Sequence, residues 1–129
     1  MTARRADVPG IDTVLAAARA TLDRVEAADV PSAVADGAVL VDIRPAAQRA
    51  AEGQAPGALV IERNVLEWRL DPASDARIPE AGSADTRWLI LCSEGYASSL
   101  AAASLQAVGL PNATDVVGGY QAMRAAGVV

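Results

Sequence analysis

Apolar residues fall along this chain in two rhythms, short unbroken runs and longer stretches at helical spacing. After Pro9, residues Ile11, Val14, Leu15, Ala18, Leu22 and Val25 recur at helical spacing with Arg19, Asp23 and Arg24 between them, which predicts an amphipathic helix. Its dry face is expected to pack on the rest of the domain, the sharper alternative being a partner or homodimer surface. A short helical piece, Pro31 to Ala35, leads through Asp36-Gly37 into Ala38 to Asp42, the first buried strand. An Ala-rich segment from Pro45 to Ala51, the turn Gly53 to Gly57, a second apolar run Ala58 to Ile61 and a helix around Asn64 to Leu70 follow.

Residues Asp71 to Thr86 are polar and rich in breakers, and read as a long surface connection. Trp88 to Leu91 is a run that suits a strand of a parallel sheet, and Ala97 to Val108 is a helix that Gly109 stops. Ala113 to Val117 makes a further strand, and Gly118-Gly119 opens a closing helix through Met123 to Ala125. Strands thus alternate with helices, the pattern of a mainly parallel sheet covered on both faces, in which function gathers at the carboxyl ends of strands. Asp42 and Cys92 both fall at that edge. No repeat or domain-sized linker interrupts the chain, so it reads as one α/β domain over 30–129 with a helical extension over 1–29.

Composition narrows the function classes. The 129 residues are 52% hydrophobic but only 3% aromatic, so the core must be aliphatic. A net charge of -5 argues against a nucleic-acid surface, which calls for clustered basic residues. All 11 basic residues are Arg, which reads as compositional bias in the source genome. One cysteine excludes an internal disulfide, and the lack of histidine excludes zinc sites of the Cys/His type, so no metal is expected. The opening MTARRADVPG has paired arginines but no apolar stretch after them, and no run is long enough to span a membrane. A cytoplasmic location with no membrane partner is the expectation.

The chemistry gathers at Cys92. It sits where an apolar run ends and an Ala-rich helix begins, and Gly95 can take the positive φ of a tight ring. Loop amides turned inward beside a helix N-terminus would form a nest that favours an anion and lowers a thiol pKa below roughly 8.5. With no His in the chain to act as base, backbone electrostatics must supply the activation. The plain alternative is a small buried hydrophobe, which is how most free cysteines behave.

Several motifs in order resemble one family: VDIR at Val41 to Arg44, G-x-x-P-G-A at Gly53 to Ala58, C-x-x-G-x-x-S at Cys92 to Ser98, and Gly118-Gly119. The chain from about Val30 to Val129 is similar to a rhodanese-like sulfurtransferase domain. The resemblance implies a three-layer α/β/α fold and a Cys92 that carries a sulfane sulfur as a persulfide, from a small donor to a thiol, protein or cyanide acceptor. It implies that the persulfide rests among Ser93, Glu94, Gly95, Tyr96, Ala97 and Ser98, with no cofactor. It also implies that Asp42 and Arg44 brace the loop. Arg63 and Arg69, flanking Glu67-Trp68, are candidates for positive charge near the pocket, Arg63 being taken as substrate-binding, with solvated helix charges as the plain alternative for both. Trp68 is expected in the core or a pocket wall, and Ser98 or Ser99 is expected to cap the helix.

Departures from the family pattern sharpen the expectation. Thiosulfate-using relatives often carry Arg or Lys where this loop has Ser93 and Glu94, and a carboxylate there repels a dianion. A persulfide donor is therefore expected to be preferred. Gln54 and Met123 replace a frequent His and Trp, which affects pocket shape rather than chemistry. Phosphatases of the same fold need an Arg six residues after the cysteine, where this chain has Ser98. A non-catalytic module that binds a partner or senses persulfides remains the rival from another class.

Overall fold

A computed structural model describes residues 8–129; residues 1–7, which include the paired arginines assigned above to the N-terminal extension, lie outside the described residues. Strands β1 (Val39–Asp42), β2 (Leu59–Val60), β3 (Trp88–Leu91) and β4 (Thr114–Asp115) form one parallel sheet in the order β2-β1-β3-β4. Helices α1 (Ile11–Arg19), α2 (Val30–Ala35), α3 (Ala46–Glu52), α4 (Leu66–Leu70), α5 (Ala97–Val108) and α6 (Gly119–Ala125) surround it.

Successive residues of a strand point to opposite faces, and here both faces are dry. Val41, Trp88 and Ile90 meet Leu66 and Leu70 of α4 and Ala101 and Leu105 of α5 on one side. Leu40, Leu89 and Leu91 meet Val30 and Ala33 of α2 and Tyr120 and Met123 of α6 on the other. This is the three-layer α/β/α arrangement, and Met123, in place of a larger aromatic, is a core residue 2% exposed. The register pairs Asp42 with Leu91 and Ile90 with Asp115, which brings the ends of β1, β3 and β4 to one edge.

Four elements differ from expectation. The first helix stops at Arg19, because Val25 is taken by the sheet: it bridges Val116 in parallel, its N–H donating to the Asp115 carbonyl at 3.0 Å. A β-branched residue on a free sheet edge gains more from pairing than from extending a helix. The runs at Ala58 to Ile61 and Ala113 to Val117 shorten to two-residue strands at the two ends of the sheet order, β2 paired with β1 alone and β4 with β3 and the single Val25 bridge. The connection after α4 carries no helix or strand, but it is not wholly at the surface, for Ile78 and Ala81 anchor it in the core. Helix α1 lies against α5 and buries Leu15, while Ile11 and Val14 stay exposed. Among the described residues no helix is long and apolar enough to cross a membrane.

Candidate active site

Cys92 is the first residue past β3, and the seven residues Cys92 to Ser98 curl from the strand end into α5. Its sulfur accepts from the Gly95 N–H at 3.2 Å and from the Ser98 N–H at 3.3 Å. The thiol is 7% exposed. Gly95 makes the ring with φ +84°, and a Cβ there would stand 2.7 Å from the Gly118 nitrogen.

While these amides turn toward sulfur, the first two carbonyls of the loop turn out to α6. The Tyr120 N–H donates to the Cys92 carbonyl at 2.8 Å, and the Gln121 N–H to the Ser93 carbonyl at 3.0 Å. Close approach of α6 requires Gly119, where φ is +62° and a Cβ would lie 2.5 Å from the Cys92 carbonyl oxygen. The Gly118-Gly119 motif therefore seats one helix on the loop.

Asp42 and Arg44 form a buried pair. Arg44 Nη2 lies 2.7 Å from Asp42 Oδ2 and Nε lies 3.0 Å from Oδ1, a bidentate fork, and the guanidinium stacks 4.0 Å from the Tyr120 ring centroid. Arg44 also donates to Glu52 Oε1 at 3.1 Å and to the Gly53 carbonyl at 2.9 Å. Glu52 in turn accepts from Ser93 Oγ at 2.8 Å. Asp42 and Arg44 thus reach the loop through Glu52 at Ser93, and through the Tyr120 ring on which Arg44 stacks. Burial opposes charge on Arg44, but its bonds to Asp42 and Glu52 outweigh this and raise its pKa. Burial likewise opposes ionisation of Glu52, and bonds from Ser93, Arg44 and Gln121 hold its carboxyl below the ordinary value.

Ser98 and Ser99 do not cap α5. The cap position is Tyr96, with no side-chain cap bond, because both hydroxyls are turned inward to Asp115 Oδ2 at 2.7 and 2.8 Å. Asp115 is fully buried, and its charge is met by Arg24, whose Nε lies 2.8 Å from Oδ1 and Nη2 3.2 Å from Oδ2. Glu94 and Ala97 are exposed, and Tyr96 stands 58% exposed at the mouth of the loop with the Arg19 guanidinium 5.3 Å from its ring centroid.

Arg63 is not joined to the loop: it donates to Glu67 at 2.9 and 3.0 Å, one helical turn away. Glu67 is held below the ordinary carboxyl value despite the opposing effect of burial, by Ser104, its own backbone and Arg63. Arg69 donates to the Ala76 carbonyl and pins the long connection. Trp68 is 60% exposed beside Val108 and belongs to no core. Sequence reasoning missed Glu52, Asp115, Arg19 and Arg24. The acid inside the apolar run at 113–117 was the available signal, since an aspartate in a buried strand needs a cation.

A parallel α/β sheet whose central strand delivers a cysteine into a ring of backbone amides defines a class of small domains with a cysteine loop at the carboxyl edge of the sheet. Residues 26–126 match the family described as Rhodanese-like domain, and the chain belongs to that family. No curated protein matches it. Among solved structures it is similar to the Rhodopseudomonas palustris CGA009 protein RPA3614, described as a possible tyrosine phosphatase, with 29% identity, TM-score 0.84, and coverage of 98% of this chain and 97% of that one. The human single-domain sulfurtransferase TSTD1 matches at 26% identity and TM-score 0.64, over 79% of this chain and 95% of that one. A thiosulfate sulfurtransferase from Pseudomonas aeruginosa shares the fold at 20% identity and TM-score 0.63, over 82% of this chain and 18% of that one.

Proposed function

We propose that this protein is a sulfurtransferase that carries a sulfane sulfur on Cys92. The convergence of the Gly95 and Ser98 N–H groups on its sulfur is the observation that supports this. Such donors favour the thiolate over the thiol, and preorganised donors in well-studied oxyanion sites are worth about 3 kcal/mol each. The Cys92 thiolate attacks the outer sulfur of a donor persulfide, the donor S–S bond breaks, and the donor leaves as a thiolate. An acceptor thiolate then takes that outer sulfur, and Cys92 leaves as the thiolate it began as. Similarity to TSTD1, a sulfurtransferase, favours the same chemistry.

A low-molecular-weight or protein persulfide is the preferred donor, and thiosulfate is poor. Glu94 is exposed on the loop, and the loop itself contributes no cation. At about 4 Å, charges near a protein surface interact by on the order of 4 kcal/mol before screening, enough to bias a dianion away. The phosphatase chemistry named for RPA3614 finds no support in this loop: the sixth position after Cys92 is Ser98, whose hydroxyl is committed to Asp115. The exposed Glu94 and the low exposure of Cys92 do favour a second reading, a module that senses persulfides or docks a partner without turnover.

The test is intact mass after treatment with a persulfide donor, followed by turnover to a thiol or cyanide. Cys92 is expected to gain one sulfur atom, Cys92→Ser none, and turnover with thiosulfate to be at least about tenfold slower, a difference of ~1.4 kcal/mol. Glu94→Arg is expected to narrow that gap. Loading without turnover would favour the sensing module, and rapid wild-type turnover of thiosulfate would discard the donor preference.

A further inference from the structure

The segment ahead of the family match sends two guanidinium groups to one atom of the Cys92 loop. Arg19 Nη2 lies 2.8 Å and Arg24 Nη2 lies 3.1 Å from the carbonyl oxygen of Gly95. Neither residue is within the matched residues 26–126. We propose that Arg19 and Arg24 are positioning residues of the sulfur site: they hold the Gly95 carbonyl outward, so that the Tyr96 N–H of the same peptide is presented to the sulfur borne by Cys92. The inference rests on the sulfurtransferase reading for the sulfur it serves.

Three observations carry it. The Gly95–Tyr96 peptide is trans, as is every peptide among the described residues, and in a trans peptide the N–H opposes the C=O, so clamping the Gly95 oxygen turns the Tyr96 N–H away from the arginines. A carbonyl bonded to cations polarises its own peptide, which makes the attached N–H a stronger donor to an anion. The clamp is also rigid. Arg24 is locked onto buried Asp115, Arg19 Nε donates to Ser99 Oγ at 3.1 Å, and Val25 is stitched to the sheet edge immediately after Arg24. Two like charges brought onto a neutral oxygen, with Asp115 alone among the described residues to balance them beneath the loop, raise the local potential where an anion forms.

The charged groups around the loop are Arg19 from α1, Arg24 from the segment after it, Asp115 from β4, Glu52 from α3 with Arg44 behind it, and Glu94 on the loop. Of these, the two arginines are the cations that touch the loop backbone. Their loss removes an interaction specific to the anionic state of the sulfur.

The experiment compares wild type with Arg19→Gln, Arg24→Gln and Arg24→Lys in the full chain. It reads the pH dependence of Cys92 alkylation, the kcat and KM of sulfur transfer, and the melting temperature. The glutamine variants are expected to shift the alkylation midpoint upward by about one pH unit and to lower kcat on the order of tenfold with KM little changed. Lysine at position 24 is expected to recover part of the loss, since it keeps the charge but not the fork. Should Arg24→Gln unfold with Asp115 left buried and unpaired, Arg19→Gln decides, because Arg19 donates only to neutral groups among the described residues. An unmoved midpoint and kcat in folded Arg19→Gln overturns the proposal. A shifted midpoint in a chain that never takes up sulfur would instead keep the clamp and retire the sulfurtransferase reading.

Discussion

Glu52 accepts from Ser93 on one side and from Arg44 on the other, so a single carboxylate ties the Cys92 loop to the buried Asp42–Arg44 pair. Its folded pKa is lowered, so the stability it contributes is complete above its unfolded pKa and is lost as pH falls through the folded one. Glu52→Gln is expected to melt about 3 °C below wild type at neutral pH, with the gap closing on acidification to roughly pH 4 and below. Thermal melts at both conditions check this, and a gap that stays constant would separate Glu52 from the loop. Cys92, Asp42 and Arg44 were legible because each belongs to a short motif whose chemistry is local. Glu52 and Asp115 were not, since Glu52 lies 41 residues from Ser93 and Asp115 lies 91 from Arg24, and nothing local pairs them. Ser98 and Ser99 were misplaced for the same reason, because a helix-start serine reads as a cap until a buried aspartate is known to lie beneath it.

At the scale of elements, the loop is held between α6, which takes its outward carbonyls, and α5, which it opens into. That contact depends on Gly119, where both the positive φ and the 2.5 Å approach of a hypothetical Cβ to the Cys92 carbonyl forbid a side chain. Gly119→Ala is expected to cost more than about 1 kcal/mol in urea unfolding and to slow Cys92 alkylation several-fold. Gly57→Ala is the control: its φ is +81° but nothing lies within 4 Å, so it carries backbone strain without the clash and leaves alkylation unchanged. Equal effects of the two would remove α6 from the account of the site. Helix α5 and strand β3 were readable from periodicity and a stop glycine. The end of α1 was not, because Leu22 and Val25 continue a helical spacing while Val25 pairs with Val116. Hydrophobic period reports which residues are dry and is silent on whether a helix or a sheet edge dries them.

The whole molecule brings β1, β3 and β4 to one edge and closes that edge with groups from both ends of the chain, Arg19 and Arg24 before the family match and the Gly118-Gly119 turn near its end. Alternation of strands and helices was enough to read the parallel sheet and the edge at which Cys92 stands. The N-terminal segment was read as a packed extension, and its packing on α5 is only half of its part, since its arginines were indistinguishable in sequence from a solvated helix face. All of this architecture converges on one sulfur that accepts from two backbone N–H groups in a chain with no histidine. Because Cys92 is the sole thiol, its reactivity can be followed in wild type by its alkylation rate at mildly acidic pH, with Cys92→Ser as the blank. Alkylation faster than that of a small free thiol under the same conditions is expected, and a rate at or below the free thiol's would contradict a loop that favours an anionic sulfur.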